Sequence, residues 1–205
     1  MNIQTRKQSL RQSIIAARQI IVAAESLRLS GLIAARICEL EAYQAATTVL
    51  GYMNFGAEFA AEIFVQQALR DGKQVLLPKV NRDTKQLDVY RVLDLAQDVA
   101  PGLWDIREPL IERCDKVEDL SSIDFILLPG VAFGRDGARL GYGGGFYDKL
   151  LARLTKQPAL IAAAFALQVV EQIPQEATDR KTDWLITENE AIHCCDMALQ
   201  KHILV

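Results

Sequence analysis

The stretch that decides the fold is Arg-Leu-Gly-Tyr-Gly-Gly-Gly-Phe-Tyr-Asp, residues 139–148. Its four glycines can adopt backbone conformations closed to other residues, and they let the main chain approach a ligand closely. The apolar run at 123–128 predicts a buried strand before it, and residues 149–154 predict the first turns of a helix after it. A glycine loop between a strand and a helix is typical of phosphate binding, because backbone N–H groups and the helix start attract anions.

The loop matches neither of the two common glycine-rich phosphate motifs. The chain contains no Gly-Lys-Ser/Thr for a P-loop, and the dinucleotide fingerprint that would start at Gly141 meets Phe146 where it needs a glycine. For this stretch considered alone, a mobile glycine hairpin without a ligand therefore remains an alternative interpretation. Arg139 and Asp148 favour a ligand, because together they resemble a phosphate clamp and a metal ligand.

Composition limits the class of protein. The 205 residues are 50% hydrophobic and carry a net charge of −3, which predicts one globular domain over residues 1–205 without nucleic-acid or membrane partners. We find no apolar run long enough to span a bilayer and no secretory signal. The four cysteines form no Cys-x-x-Cys pair, as expected in a reducing compartment. These features predict a cytoplasmic protein.

The rest of the chain alternates between helical and strand patterns. Helix-spaced apolar residues predict helices over 4–24, 26–43 and 58–69, and short apolar runs predict strands at 47–52, 74–78, 87–92, 160–165 and, as the last strand, 183–187. The apolar stripe of the second helix is expected to include Leu32. This alternation predicts an α/β fold with three layers, α/β/α, around a mostly parallel and Rossmann-like central sheet.

Polar segments follow three of the predicted strands, at 53–58, 129–148 and 166–180. Ligands bind parallel sheets at the carboxyl ends of their strands, so we expect a site where these segments meet. Two of their carboxylates, Asp148 and Asp179, can share one magnesium ion with phosphate oxygens. An acid at a helix start is also an ordinary capping residue, so both readings of Asp148 stay open.

Several cationic side chains could meet a phosphate there. Lys7 and Arg11 lie four residues apart and therefore share one helix face, which by itself is typical of a solvated basic stripe. Arg135 and Arg139 flank a predicted turn, and their ordinary interpretation is loop solvation. All four matter more if they converge on the glycine loop, because a polyphosphate needs several positive charges.

The remaining candidates have an ordinary interpretation beside the functional one. Glu58 begins a helix, where an acid is favourable with the helix dipole. Trp104 and Tyr142 can stack on a heteroaromatic ligand, although most tryptophans are core residues. We expect His193 and His202 at the surface, and we find no Ser/His/Asp or Cys/His arrangement that would supply a nucleophile.

The run from Leu128 to Asp148 closely resembles the signature of the 5-formyltetrahydrofolate cyclo-ligases, also called 5,10-methenyltetrahydrofolate synthetases. That signature reads Pro-Gly, an aromatic residue, and Arg-Leu-Gly-x-Gly-x-Gly-(Phe/Tyr)-Tyr-Asp, and every element is present. Further similar segments follow in the family's order: Lys7–Arg11, Tyr52 with Glu58, Gly72–Pro78, Trp104–Pro109, Ala164–Gln168 and Asp179–Asp183. One departure lies at 56–61, which read Gly-Ala-Glu-Phe-Ala-Ala where the family often has Gly-Glu-Val-Asp-Thr.

This resemblance implies ATP-dependent cyclisation of 5-formyltetrahydrofolate to 5,10-methenyltetrahydrofolate, with release of ADP and phosphate. It implies ATP and 5-formyltetrahydrofolate as small-molecule partners, Mg²⁺ as a cofactor, a monomer, and a fold that resembles the NagB/RpiA/CoA-transferase-like fold. Two alternatives stay open. One is another enzyme on such a scaffold, for instance a sugar-phosphate isomerase or a CoA-transferase-like protein. The other is a non-catalytic module that binds ATP or folate.

The resemblance also implies roles for individual residues, with Lys7 and Arg139 as the catalytic ones. The expected ATP-binding residues are Lys7, Arg11, Arg139, Leu140, Gly141, Tyr142, Gly143, Gly144, Gly145, Phe146 and Tyr147. The expected folate-binding residues are Met53, Glu58, Trp104, Tyr142, Gly143, Gly144, Gly145 and Phe146. Asp148 and Asp179 are the expected Mg²⁺ ligands.

Overall fold

The computed structural model describes residues 2–176 and 179–194. The helices are α1 (Ile3–Gln19), α2 (Ala23–Glu39), α3 (Glu41–Ala45), α4 (Ala61–Arg70), α5 (Leu95–Asp98) and α6 (Phe146–Ala152). The strands are β1 (Thr48–Leu50), β2 (Gln74–Asn81), β3 (Gln86–Val92), β4 (Val99–Pro101), β5 (Arg107–Pro109), β6 (Phe125–Leu128), β7 (Ala132–Gly134), β8 (Arg139–Leu140), β9 (Ala159–Ala163), β10 (Val169–Val170), β11 (Trp184–Ile186) and β12 (Ala191–His193).

One sheet in the described part of the chain has seven strands, in the order β12-β11-β9-β6-β1-β2-β3. The five inner strands are parallel, and the edge strands β3 and β12 are antiparallel to their neighbours. The mostly parallel sheet predicted from the sequence is confirmed. From β1 the chain moves one way to β2, and later strands continue on the other side from β6, so the direction of winding reverses between β1 and β6.

The two faces of the sheet are covered by different helices. Successive side chains of a strand point to opposite faces. Phe125 and Leu127 therefore join a core built with α2 and α4, whereas Ile126 and Leu128 join a second core built with α6. All four side chains are fully buried. The two cores explain why the strands read as unbroken apolar runs, and the predicted three-layer arrangement is confirmed.

Three helices differ from their predicted bounds. α4 begins at Ala61, so Glu58 lies before the helix that it was predicted to begin. α1 ends at Gln19 and α2 begins at Ala23, so the break precedes the predicted one by several residues. The chain leaves the helix at a β-branched run, where Ile20 and Val22 are 80% and 68% exposed, and β-branched residues favour helices less than unbranched ones. Leu32 is 41% exposed, so its predicted place on the apolar stripe is wrong.

One prediction near the end of the described chain is also wrong. The segment predicted as the last strand is followed by β12, which pairs antiparallel with β11. His193, expected at the surface, is partly buried, and its ring centroid lies 4.6 Å from that of Trp184. His202 lies outside the described residues. Over 2–176 and 179–194, no helix combines the length and apolarity needed to cross a membrane.

The strands β10-β7-β8 form a small sheet, and α1 packs against it. Because β7 follows β6 in the chain, this sheet lies beyond the carboxyl end of β6. Ile14 of α1 packs in one apolar cluster with Val131, immediately before β7, and Leu140, in β8. Arg139 and Leu140 form β8, and the glycine loop leaves directly from it. The packing therefore places α1 beside the loop.

Candidate active site

A cavity of about 710 Å³ lies outside the carboxyl ends of the parallel strands. Residues that follow β1 and β6 line it, so it sits where the winding of the sheet reverses. This is the general position of ligand sites in such sheets. Residues from all three of the predicted polar segments, 53–58, 129–148 and 166–180, contribute to the lining.

The glycine loop forms one wall of this cavity. Gly143 has φ 103° and Gly145 has φ 66°, and L side chains rarely adopt either conformation. Gly145 is the N-terminal cap of α6, so the turn into the helix depends on its left-handed conformation. The Arg11 guanidinium lies 3.6 Å from the position that a Cβ on Gly143 would occupy. The loop is thus bare main chain in conformations that favour glycine, with a cation directly beside it.

Helix α1 turns a cationic face toward the loop. The Arg11 Nε donates to the Gly141 carbonyl oxygen at 2.8 Å. Lys7 is only 6% exposed, and its Nζ donates to Glu176 at 2.9 Å and to Asp179 at 3.1 Å. Burial by itself would lower the pKa of Lys7, but the hydrogen bonds and charges of these two carboxylates outweigh it and raise the pKa. Lys7 is therefore charged, and the interpretation of these cations as a solvated stripe is wrong.

Arg139 connects the start of the loop to its end. Its Nη2 donates to Asp148 Oδ1 at 2.7 Å, and its Nη1 donates to the Pro129 carbonyl oxygen at 3.1 Å. The Arg139 side chain is 6% exposed and Asp148 is 44% exposed, so the cation lies inside and the acid faces the opening. Arg135 pairs instead with Glu190 and does not line the cavity.

The same cavity is also lined by a buried carboxylate. Glu58 is 5% exposed. Its Oε2 accepts a hydrogen bond from the Phe55 amide at 2.8 Å, and its Oε1 accepts one from the Tyr142 hydroxyl at 2.6 Å. Burial raises the pKa of Glu58, although both hydrogen bonds and the nearby charge of Arg18 oppose that rise. An acid so placed can bind a ligand that offers N–H donors.

Trp104 lies at the outer edge of the cavity, on the turn between β4 and β5. It is 59% exposed. Trp104 and its neighbour Asp105 both have left-handed backbones, with φ 58° and 63°. Such strain costs about 1–3 kcal/mol per residue and often accompanies ligand sites.

The structure brings all of the predicted site residues to this one cavity. These are Lys7, Arg11, Met53, Glu58, Trp104, Arg139, Leu140, Gly141, Tyr142, Gly143, Gly144, Gly145, Phe146, Tyr147, Asp148 and Asp179. The prediction left out Phe55, Glu176 and Arg180, among other lining residues, and Arg18 behind the lining. Tyr52 belonged to the family resemblance but was not assigned to the site. A sequence signal existed for Arg18, because it stands seven residues after Arg11 and so shares its helix face.

The carboxylates and cations suit a phosphate-bearing ligand better than a metal cage. Among residues 2–176 and 179–194, no group of three or more His, Cys, Asp or Glu side chains is placed to hold a metal ion. Asp148 and Asp179 line the same cavity but are engaged by Arg139 and Lys7, respectively. Mg²⁺ commonly needs only one or two carboxylates, because water and substrate phosphates supply its other ligands.

Comparison with known proteins agrees with this geometry. The sequence model of the 5-formyltetrahydrofolate cyclo-ligase family matches residues 3–188. A Caenorhabditis elegans protein named probable 5-formyltetrahydrofolate cyclo-ligase is 31% identical, covering 91% of this chain and 94% of its own. The mouse 5-formyltetrahydrofolate cyclo-ligase is 28% identical, covering 92% of this chain and 97% of its own.

Two solved structures share the fold. The 5,10-methenyltetrahydrofolate synthetase of Aquifex aeolicus is 30% identical with a TM-score of 0.78, and the alignment covers 92% of each chain. A Mycoplasma pneumoniae structure is 23% identical with a TM-score of 0.70, covering 89% of this chain and 98% of the other. With the match to the family model, these relatives show that the chain belongs to the 5-formyltetrahydrofolate cyclo-ligase family.

Proposed function

We propose that this chain catalyses the ATP-dependent cyclisation of 5-formyltetrahydrofolate to 5,10-methenyltetrahydrofolate, with release of ADP and phosphate. One observation carries the proposal: a single cavity joins a cationic end, with Lys7, Arg11 and Arg139, to a buried acid, Glu58. The glycine loop contacts both, through Arg11 at Gly141 and through Tyr142 at Glu58. A nucleotide bound to the cations and a heterocycle bound to the acid would therefore meet over the loop.

The reaction explains why the site needs no nucleophilic side chain. A formamide is a poor electrophile, because its nitrogen delocalises into the carbonyl group. Transfer of the γ-phosphoryl group to the formyl oxygen forms an O–P bond and releases ADP. The folate N10 then attacks the formyl carbon and loses its proton, and the C–O bond breaks as phosphate departs. The protein contributes alignment and charge stabilisation.

The cationic end is proposed to bind ATP. Lys7 and Arg11 approach from α1 and Arg139 from β8, so positive charges flank the loop on two sides. The backbone of residues 140–147 supplies N–H donors. A well-placed donor at a transferring group is worth about 3–4 kcal/mol, so these contacts can provide a large part of the rate enhancement. We assign the catalytic roles to Lys7 and Arg139.

Mg²⁺ is proposed to bind between Asp148 and Asp179 and the ATP phosphates. When bound, the ion offsets negative charge on the phosphates. The two carboxylates have the hard oxygen donors that this ion prefers, and both face the cavity. Arg139 and Lys7 hold these acids in place.

The folate is proposed to lie at the other end, against Met53, Glu58, Trp104 and the loop from Tyr142 to Phe146. Glu58 accepts hydrogen bonds from the N–H groups of the pterin ring, for which a carboxylate is the complementary partner. Trp104 offers an aromatic face at the entrance. Residues 1–205 are proposed to act as one domain, in a cytoplasmic monomer.

The test mixes the purified protein with Mg-ATP and 5-formyltetrahydrofolate and follows the near-ultraviolet absorbance of the methenyl product. We expect absorbance that depends on both substrates, with one ADP formed per methenyl group. ATP binding without this absorbance would favour a non-catalytic module. Turnover of a sugar phosphate or a CoA ester without any folate would favour another enzyme on this scaffold.

A further inference from the structure

We propose that Arg18 is a positioning residue, which acts through the Tyr142 hydroxyl to hold the Glu58 carboxylate in place for the folate ring. This inference rests on the proposed function and extends it to a residue outside the cavity lining. Nothing in the sequence resemblance assigns a role to Arg18.

The burial of Arg18 is the first observation. It is 3% exposed, and its Nη2 donates to the Tyr142 hydroxyl oxygen at 2.7 Å. Within the described residues its Nε and Nη1 have no hydrogen-bond partner. Burying a guanidinium costs several kcal/mol unless other groups compensate. An apolar residue would fill this position on α1 at lower cost, so the charge points to a role other than packing.

The direction of the hydrogen bonds is the second observation. A hydroxyl has one donor, and an arginine can only donate. Tyr142 therefore accepts from Arg18 and gives its single proton to Glu58 Oε1, at 2.6 Å. The Phe55 amide holds Oε2. Each carboxylate oxygen thus has one fixed donor and a further lone pair that can accept a bond from a ligand.

Electrostatics give Arg18 a second effect on the same carboxylate. The charged and titratable groups that face Glu58 are Arg18 from α1, Tyr142 from the loop, Tyr52 after β1 and Tyr147 from α6. Burial raises the pKa of Glu58, and among these four groups Arg18 is the cation that opposes the rise. Loss of Arg18 should raise the pKa of Glu58 further and leave less of the ionised form that accepts two N–H donors.

Arg18 contacts the cavity lining through the Tyr142 hydroxyl. Lys7 and Arg11 line the cavity, whereas Arg18 lies behind Tyr142 and does not line it. Its guanidinium carbon is 6.0 Å from the centroid of the Tyr142 ring. Substitution of Arg18 should therefore weaken binding of the folate but not of ATP, whereas substitution of Arg11 should weaken binding of ATP.

The experiment measures steady-state kinetics of Arg18→Gln between pH 5.5 and 8.5, with each substrate varied in turn. We expect the KM for 5-formyltetrahydrofolate to rise at least tenfold at pH 7, while the KM for ATP changes less than twofold. The acidic limb of kcat/KM for the folate should move to higher pH by at least half a unit, because this limb reports the free enzyme. Arg6→Gln, an exposed arginine on the same helix, is the matched control.

Tyr142→Phe tests the same link with the Arg18 charge kept, because it deletes only the hydroxyl that joins Arg18 to Glu58. It should weaken folate binding in the same direction. The double variant, with Arg18→Gln as well, should raise the KM for the folate less than threefold above that of the weaker-binding single variant. Both changes break the same chain of hydrogen bonds, so their effects should not add.

A folded Arg18→Gln with normal folate KM and an unmoved acidic limb would overturn the proposal and leave Arg18 a structural residue. If Arg18→Gln does not fold, the same two results from Tyr142→Phe would overturn it. A wild-type protein that forms no methenyl product would instead overturn the proposed function, so the two failures are distinguishable.

Discussion

Replacing Arg139 by alanine should remove most of the activity and little of the stability. The side chain lies between the loop and Asp148, with hydrogen bonds of 2.7 Å to Asp148 and 3.1 Å to the Pro129 carbonyl oxygen. Its Nε is buried without a partner in the described part of the chain. A buried cation with a donor to spare, beside a bare main-chain loop, is suited to an incoming phosphate oxygen.

The expected loss of activity is much larger than the expected loss of stability, so measuring both distinguishes a catalytic role of Arg139 from a structural one. Losing one donor to a transferring group costs about 3–4 kcal/mol in the transition state, which corresponds to roughly 100- to 1000-fold in kcat/KM. The ion pair itself contributes at most about 1 kcal/mol to stability, because the Asp148 side chain is 44% exposed and solvent screens it. The unpaired Pro129 carbonyl adds about 1 kcal/mol. A loss of about 2 kcal/mol leaves most domains folded.

The assay combines methenyl absorbance, with ATP varied, and urea unfolding of the same protein. Arg139→Met is the companion variant, because it keeps the aliphatic stem that lies against Gly130 and removes only the charge. Both variants should lose activity by a similar factor. A folded variant of either kind with kcat/KM for ATP within threefold of the wild type would refute this assignment of Arg139.

Two further predictions concern the loop and the buried acid. Gly143→Ala should raise the KM for ATP at least tenfold, because φ 103° strains an alanine by about 1–3 kcal/mol and the loop backbone beside Arg11 must change to relieve that strain. Gly72→Ala (φ 73°, with open space around it) is the matched control. An equal loss of activity in both variants would count against the binding of ATP by the loop backbone. Glu58 has a raised folded-state pKa, so its contribution to stability is complete below its ordinary value of 4.5 and is lost as pH rises through the folded value. The free energy of unfolding of the wild type relative to Glu58→Gln, from urea titrations between pH 4 and 8, should therefore fall with rising pH, by about 1.4 kcal/mol for each unit of pKa shift; a constant or rising difference would contradict this.

The fold was largely predictable from the sequence, and the errors in the prediction have local causes. Short, mainly apolar runs located the five parallel strands of the seven-stranded sheet, because a strand covered on both faces is apolar on both. They did not locate β7 and β10, which pair parallel in the small sheet. The bounds of α1 and α2 were wrong, because the apolar spacing runs on to Ile21 although α1 ends at Gln19, and the neighbouring Ile20 and Val22 are exposed. Hydrophobic period alone does not tell a buried residue from an exposed one at a helix end.

The candidate site was predictable from the sequence only in part. The glycine loop, Arg139 and Asp148 are close in sequence, and steric rules for glycine and the strand-to-helix pattern already indicated an anion site there. The inward face of α1 was not predictable in this way. Lys7 and Arg11 have the spacing of an ordinary solvated stripe, and only the packing of Ile14 against the small sheet turns that face into the protein.

What the sequence determined by itself is therefore the set of short-range units: apolar strands, amphipathic helices and a glycine loop with charges at its ends. These depend on residues within one or two turns of one another. Only the tertiary structure decided that Arg18, Tyr142 and Glu58 form one chain of hydrogen bonds, across separations of 124 and 84 residues. The order of the strands and the packing of α1 create that contact, and neither leaves a periodic signal in the sequence.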